Sequence, residues 1–172
     1  MKLLFISIIA LLLLSCGATT QFDYDTKADF TSYSSFTYFP TIESGLNALD
    51  NKRVTRVLDS LMPYKGLRKA DSGQLLVNFY TAEQVTAGNT IGIGVGSGGG
   101  NVGVGVSGGI PIGGNKIEQQ FTLDFIDAQN DALVWQGVFN GTYPEKATPA
   151  QRQAYYVKVI GKILKGYPPK KK

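Results

Sequence analysis

Two short stretches gather the side chains of this chain best able to do chemistry: DYDTKAD, with Asp23, Asp25 and Asp29, and DFIDAQND, with Asp124, Asp127 and Asp131. A calcium loop needs oxygen ligands at its first, third and fifth positions and glycine at its sixth. Counted from Asp23, the fifth position is Lys27 and the sixth Ala28, so that loop fails. Asp127 and Asp131 bracket a turn, where Asp and Asn favour local hydrogen bonds to the backbone. Both clusters therefore read as structural. The chain has no histidine, which excludes Ser-His-Asp and Cys-His nucleophile systems. What is left for catalysis is a carboxylate-only glycan hydrolase, the weakest of three functional readings.

Gly94-Val95-Gly96-Ser97-Gly98-Gly99 matches G-x-G-x-x-G. That motif holds a pyrophosphate only where a helix N-terminus follows directly. Here Gly100-Asn101-Val102-Gly103-Val104 follows, and 13 glycines between residues 88 and 114 make a chance match unsurprising. No cofactor is expected. Alternation describes the segment better. Ile91, Ile93 and Val95 share one face of an extended strand, Val102, Val104 and Val106 share that of its partner, and residues 97–101 form the loop. Glycine costs about 0.5–1 kcal/mol per strand residue relative to alanine. Such a hairpin needs cover from the domain, a second copy, a partner strand or lipid. These six residues are the candidate interaction segment.

The elements that must carry these groups follow from periodicity. Phe22–Asp25 and Ser35–Phe39 read as short strands. Leu46–Met62 is a helix with Val54, Val57, Leu58, Leu61 and Met62 on one stripe, an N-cap at Asp50 or Asn51, and a stop at Pro63 and Gly66. Gln74–Tyr80 is a buried strand. Ile117–Ile126 and Leu133–Phe139 form a hairpin about an Asp127–Asp131 turn, with Phe121, Leu123 and Phe125 on one face. Thr148-Pro149-Ala150-Gln151 is a capping box that starts a last helix, striped by Ala154, Val157, Ile160 or Gly161, and Leu164. The sum predicts an α+β domain: an antiparallel or mixed sheet of about four to six strands, two helices on one face, and a Gly-rich hairpin or loop. Tyr24, Tyr33, Tyr38, Tyr80, Tyr155 and Tyr156 supply the second functional reading, a small-ligand or peptide groove on an aromatic-lined sheet, set against a core role for the same rings.

The chain begins MKLLFISIIALLLLSCG: Lys2, then 12 residues of apolar character, Leu3–Leu14. A bilayer-spanning helix needs about 20. Leu13-Leu14-Ser15-Cys16 has the pattern of a lipobox, which implies acylation and cleavage at Cys16. Residues 1–15 then form a signal peptide, 16–21 a lipidated tether, 22–167 a single domain with the 88–114 insert, and 168–172 a basic tail. Gly17 resembles the residue following the lipidated cysteine in lipoproteins sent to the outer membrane, so the expected site is its periplasmic face. From Arg152 onward there are seven basic and no acidic residues, against nine basic and 13 acidic in residues 16–151. The tail reads as a solvated helix end or a contact for anionic headgroups. Nucleic acid is not an expected partner of an exported, tethered domain.

These features together resemble a bacterial lipoprotein family designated domain of unknown function 4136. The resemblance runs through Phe22–Asp25, Ala28–Tyr38, Leu75–Asn78, Thr122–Asp127, Leu133–Gly137 and Gly141, with a glycine-rich insert before the last hairpin. It implies an envelope lipoprotein with a compact α+β fold and no established catalytic residue. Several members carry Arg where this chain has Gln136, so a role tied to that charge does not carry over. The leading reading is a non-enzymatic binding or assembly module, tethered to the membrane through Cys16, with a protein partner or self-association through the hairpin.

Overall fold

The computed structural model describes residues 19–87, 90–91, 110–111 and 114–170, the two dipeptides as backbone. Its elements in chain order are β1 (Thr19–Tyr24), β2 (Ser35–Tyr38), α1 (Ala48–Leu61), β3 (Arg68–Lys69), β4 (Leu75–Thr86), β5 (Thr90–Ile91), β6 (Ile110–Pro111), β7 (Lys116–Asp127), β8 (Ala132–Pro144) and α2 (Pro149–Ile163). A six-stranded mixed sheet has the order β1-β8-β7-β4-β2-β3, and β5-β6 stands apart as a two-stranded pair. The β4-β7-β8-β1 core is antiparallel; β2 pairs in parallel with both β3 and β4.

Alternation along the strands sets the core. Leu75, Val77 and Phe79 of β4 lie beside Phe121, Leu123 and Phe125 of β7 and Trp135 and Phe139 of β8, all 1% exposed or less. Both helices pack on that face. Tyr156 of α2 meets Phe121, and the Tyr38 hydroxyl, on the face of Phe36, donates to the Thr55 carbonyl and Asp59 of α1. The turn from β7 to β8 passes through Asp131 at φ 49°, a left-handed conformation that Asp tolerates better than most residues. The hairpin about residues 127–131 and the Thr148–Gln151 capping box stand as the sequence predicts.

Several local expectations are corrected. The N-cap of α1 is Asn47, whose Oδ1 accepts from the Leu49 and Asp50 amides, rather than Asp50 or Asn51. Asp50 is buried instead, held by arginines. A single 3₁₀ turn, Met62–Lys65, continues past Pro63 before Gly66 stops it at φ 80°. The buried stripe of α2 is Tyr155, Tyr156, Val159, Ile160, Ile163 and then Leu164, while Ala154 and Val157 face solvent. Two tyrosine rings cover more sheet than alanine and valine can, and that area sets the helix's rotation. β1 also takes in Thr19–Gln21, assigned to the tether on sequence.

Candidate functional site

The ribbon end of the sheet is defined by one row of paired residues across four strands, Thr19–Asn140–Gln120–Ala82. Beyond it β4, β7 and β8 continue to Thr86, Lys116 and Pro144. Residues 82–85 of β4 are exposed, Val85 by 57%. The chain joins β4 to β7 through the Gly-rich segment, within which a short separate ladder sets Thr90 opposite Pro111 and Ile91 opposite Ile110. Of the candidate interaction residues, Ile91 lies in this ladder. Ile93, Val95, Val102, Val104 and Val106 lie outside the described residues, as does Cys16.

At the same end is a half-open cleft of about 760 Å³, whose lining includes Glu83, Gln119, Phe139, Asn140, Tyr155 and Lys158. Glu83 Oε1 accepts from Gln119 Nε2 at 2.6 Å and from the Tyr143 hydroxyl at 3.0 Å. Burial, with the Glu83 charge second, raises the Tyr143 phenol well above its ordinary pKa. The Arg152 guanidinium lies 5.3 Å from the Tyr143 ring centroid and bonds Asp50 Oδ2 at 2.7 Å. Asp50, 1% exposed, also binds Arg53 and accepts from Asn47 Nδ2. A continuous polar chain therefore links α1, α2 and the strands to the cleft. Sequence reasoning missed both cleft and chain. Asp50 and Arg152 are 102 residues apart, and only the polar runs Glu83-Gln84 and Glu118-Gln119-Gln120, at the ends of apolar strands, hinted at a wet end.

Glu118 also lines the cleft, but it pairs with Gln84 while Glu83 pairs with Gln119. Side chains alternate between faces, so the two carboxylates project from opposite sides of the sheet and do not converge on a substrate. The Asp clusters serve the backbone. Asp25 accepts from the Lys27 amide, Asp29 from Thr31, and Asp127 Oδ1 from the Gln129 and Asn130 amides. Asp127 Oδ2 accepts from the Tyr33 hydroxyl, the chief reason its carboxyl lies below the ordinary range. Burial and that carboxylate push Tyr33 up to about 12. Among the described residues no three His, Cys, Asp or Glu side chains cluster as a metal site would require.

The tyrosines do not form a groove. Tyr155 and Tyr156 are buried, Tyr38 is bonded to α1, and Tyr24 and Tyr33 each pack edge-on against Phe30. Tyr80 alone of the six opens outward, 41% exposed, on the face away from the helices. On that outer face Asn78, Asp124, Gln136 and Asp23 form one row across β4, β7, β8 and β1. Burial raises the Asp124 carboxyl, and hydrogen bonds from Gln136 and Asn78 partly offset it.

Residues 20–169 match the family described as "Domain of unknown function (DUF4136)", and the chain belongs to that family. A search of curated proteins finds no match. Among solved structures, the chain is similar to a PDZ domain protein from Parabacteroides distasonis, with TM-score 0.58 and 15% identity over 98% of this chain and 40% of that one. The chain thus spans about 40% of that protein's length. It is also similar to a single-substitution variant of the PelC dodecamer from Paraburkholderia phytofirmans, with TM-score 0.50 and 13% identity over 86% of this chain and 95% of that one. At these identities the likeness is one of fold alone.

Proposed function

We propose that this family member is an envelope lipoprotein, held by acyl chains on Cys16 at the periplasmic face of the outer membrane. It acts there as a non-enzymatic binding or assembly module. The observation that carries the reading is the β4-β7 pair: residues 82–85 of β4 are exposed, and the chain joins these two central strands through the Gly-rich segment. By its sequence that segment alternates β-branched residues with glycine, a composition that is marginal as an isolated pair of strands and that gains from contact with a partner. Assembly is a natural use of this fold, since PelC is a dodecamer.

The test replaces residues 87–115 with Asn-Gly, which joins Thr86 to Lys116 by a two-residue turn that suits a hairpin. The shortened protein should fold with its stability nearly unchanged and lose the complexes that the full chain forms in the envelope. Complexes that survive the replacement would sink the reading.

The cleft favours a second reading, a site for a small polar ligand. Its volume is within the range of about 300–1,000 Å³ usual for ligand pockets, and Phe139 supplies an apolar wall among amides, Glu83 and Lys158. Binding that survives the Asn-Gly replacement and is lost with Lys158→Glu would support it.

A further inference from the structure

We infer that the open edge of β1 takes up an extended acidic segment of a partner protein, which adds a further strand to the sheet beneath the lysines of α2. The inference goes beyond the readings above and rests on neither the Gly-rich segment nor a ligand in the cleft. β1 lies at one margin of the sheet and, among the described residues, pairs only with β8. The Asp25 amide donates to the Val134 carbonyl of β8. Backbone groups alternate in direction along a strand, so the amides of Thr19, Gln21 and Asp23 face β8 and those of Thr20, Phe22 and Tyr24 face outward. The Tyr24 amide donates to the Asp23 carboxylate at 2.9 Å. Thr20 and Phe22 are left with both backbone groups open to another strand. At the opposite margin β3 is only two residues long, and so short an edge offers little to pair with.

The flank beside this edge is cationic. Lys158 and Thr19 both line the cleft. The Lys162 ammonium lies 5.8 Å from the ring centroid of Phe139, the residue paired with Thr20. Lys165 precedes Gly166, where an added Cβ would stand 2.4 Å from the Phe22 ring. α2 and the turn after it therefore follow β1 in the same direction. Lys158 to Lys165 spans about 10 Å at 1.5 Å per helical residue, and Thr19 to Phe22 spans about 10 Å at 3.3 Å per strand residue. None of the three lysines forms an ion pair among the described residues. Phe22, on the same face, stacks on Trp135 yet stays 42% exposed, a remainder that an added strand would cover. Every second side chain of that strand points to the helix side, about 6.6 Å apart, so acidic residues at alternate positions meet the lysines. A second copy fits badly. Pairing β1 with β1 about a two-fold axis puts both helix layers on one side and sets one lysine stripe against the other, the device by which edge lysines block self-pairing.

The experiment titrates the isotope-labelled full chain, in a neutral detergent, with a short peptide that alternates Glu with Thr or Val. Two counterparts serve as controls, one with Gln in place of each Glu and one with an N-methylated backbone. The expected result is saturable binding that weakens with salt and protects the Thr20 and Phe22 amides from solvent exchange. Both counterparts should bind about tenfold more weakly or not at all, and Lys162→Glu combined with Lys165→Glu, neither of which lines the cleft, should weaken the acidic peptide about tenfold. Thr20→Pro removes an outward-facing donor, leaves the bonds to β8 in place and should abolish binding in a chain whose far-UV dichroism is unchanged. The N-methylated peptide decides the same point on the unaltered protein. Absence of binding overturns the inference. Binding that survives N-methylation overturns it too, since charge alone then holds the peptide, as does binding that the lysine reversals leave unchanged. Protection of Thr20 and Phe22 that grows with protein concentration alone gives the edge to a second copy. Protection by phosphatidylglycerol vesicles but not by the peptide gives it to lipid, and either result overturns the acidic strand.

Discussion

Gly137→Ala tests how closely α2 lies on the sheet. A Cβ built on Gly137 would stand 2.5 Å from Ile163 Cγ2 and 2.6 Å from Trp135 Cη2. Carbon atoms in contact prefer about 3.5–4.0 Å, so either the helix withdraws by roughly 1 Å or Ile163 leaves its rotamer. Neither is easy. Ile163 and Trp135 are both 0% exposed, and α2 is pinned along its length by Tyr155, Tyr156, Val159 and Ile160. Overpacking of this kind costs about 1–3 kcal/mol. Removing the glycine from the unfolded chain returns a few tenths to about 1 kcal/mol, so a net loss of about 1–2 kcal/mol is expected. Ile163→Ala alone should cost about 2–5 kcal/mol by leaving a cavity. Together the two changes should cost less than their sum, because the new methyl enters the space that Ile163 vacates, with a coupling of about 0.5–3 kcal/mol. Urea unfolding of the mature chain carrying Cys16→Ser, followed by far-UV dichroism and the emission of Trp135, the single tryptophan, measures all four corners of the cycle. A Gly137→Ala variant as stable as its parent, or a strictly additive cycle, would refute the close approach.

Asp50→Asn keeps the shape but removes the charge between Arg53 and Arg152. Because both arginines retain some exposure, 17% and 22%, the loss should fall below the about 3–5 kcal/mol of a fully buried pair, near 1–3 kcal/mol. A loss abolished by 1 M salt would point to a surface pair instead. Tyr33→Phe removes the hydroxyl that chiefly holds Asp127 below the ordinary range. A carboxyl with a depressed folded pKa stabilises above its unfolded value of about 3.9 and loses that effect as pH falls through the folded one. The gap between parent and variant in urea should therefore be present at pH 7 and close in strong acid, and a pH-independent gap would contradict it. Asp124 works the other way. Its carboxyl is raised by burial, so its contribution favours the fold at acid pH and is lost as pH rises through the folded pKa. Gln136→Arg should put a guanidinium beside it, lower its pKa and reverse that slope; carboxyl chemical shifts from a pH titration decide it.

Much of the fold was legible because its signals are local. The Ile117–Ile126 alternation, the Asp127–Asp131 turn and the Thr148–Gln151 capping box each depend on residues a few positions apart, and each stands. The α1 stripe of Val54, Val57 and Leu58 is buried for the same reason. What was not legible depends on distant partners. Asp50 reads as a cap by type, but Arg152 draws it inward and leaves the cap to Asn47. Val157 reads as core by hydropathy, but Tyr155 and Tyr156 claim the sheet through ring contacts with Phe139, Tyr143 and Phe121. Nothing in spacing told that β2 would run parallel to β4, or that Glu83 would meet Tyr143 across 60 residues.

The blocks by which the chain resembles its family fall at one end of the sheet. Tyr24, Phe30, Tyr33, Phe125 and Trp135 meet one another or Tyr167 there, and Gln74 ties the crossing loop down through Ser34, Ser35 and the Ser32 carbonyl. That loop carries the chain from β1 on one flank of the sheet to β2 near the other, beneath the ends of three strands. It closes the core, which is a folding task with no need of a partner. The opposite end holds the start of β1, the cleft, the end of β4 and the start of β7, and of the resemblance only Gly141 reaches it. The sealed end explains why the chain folds.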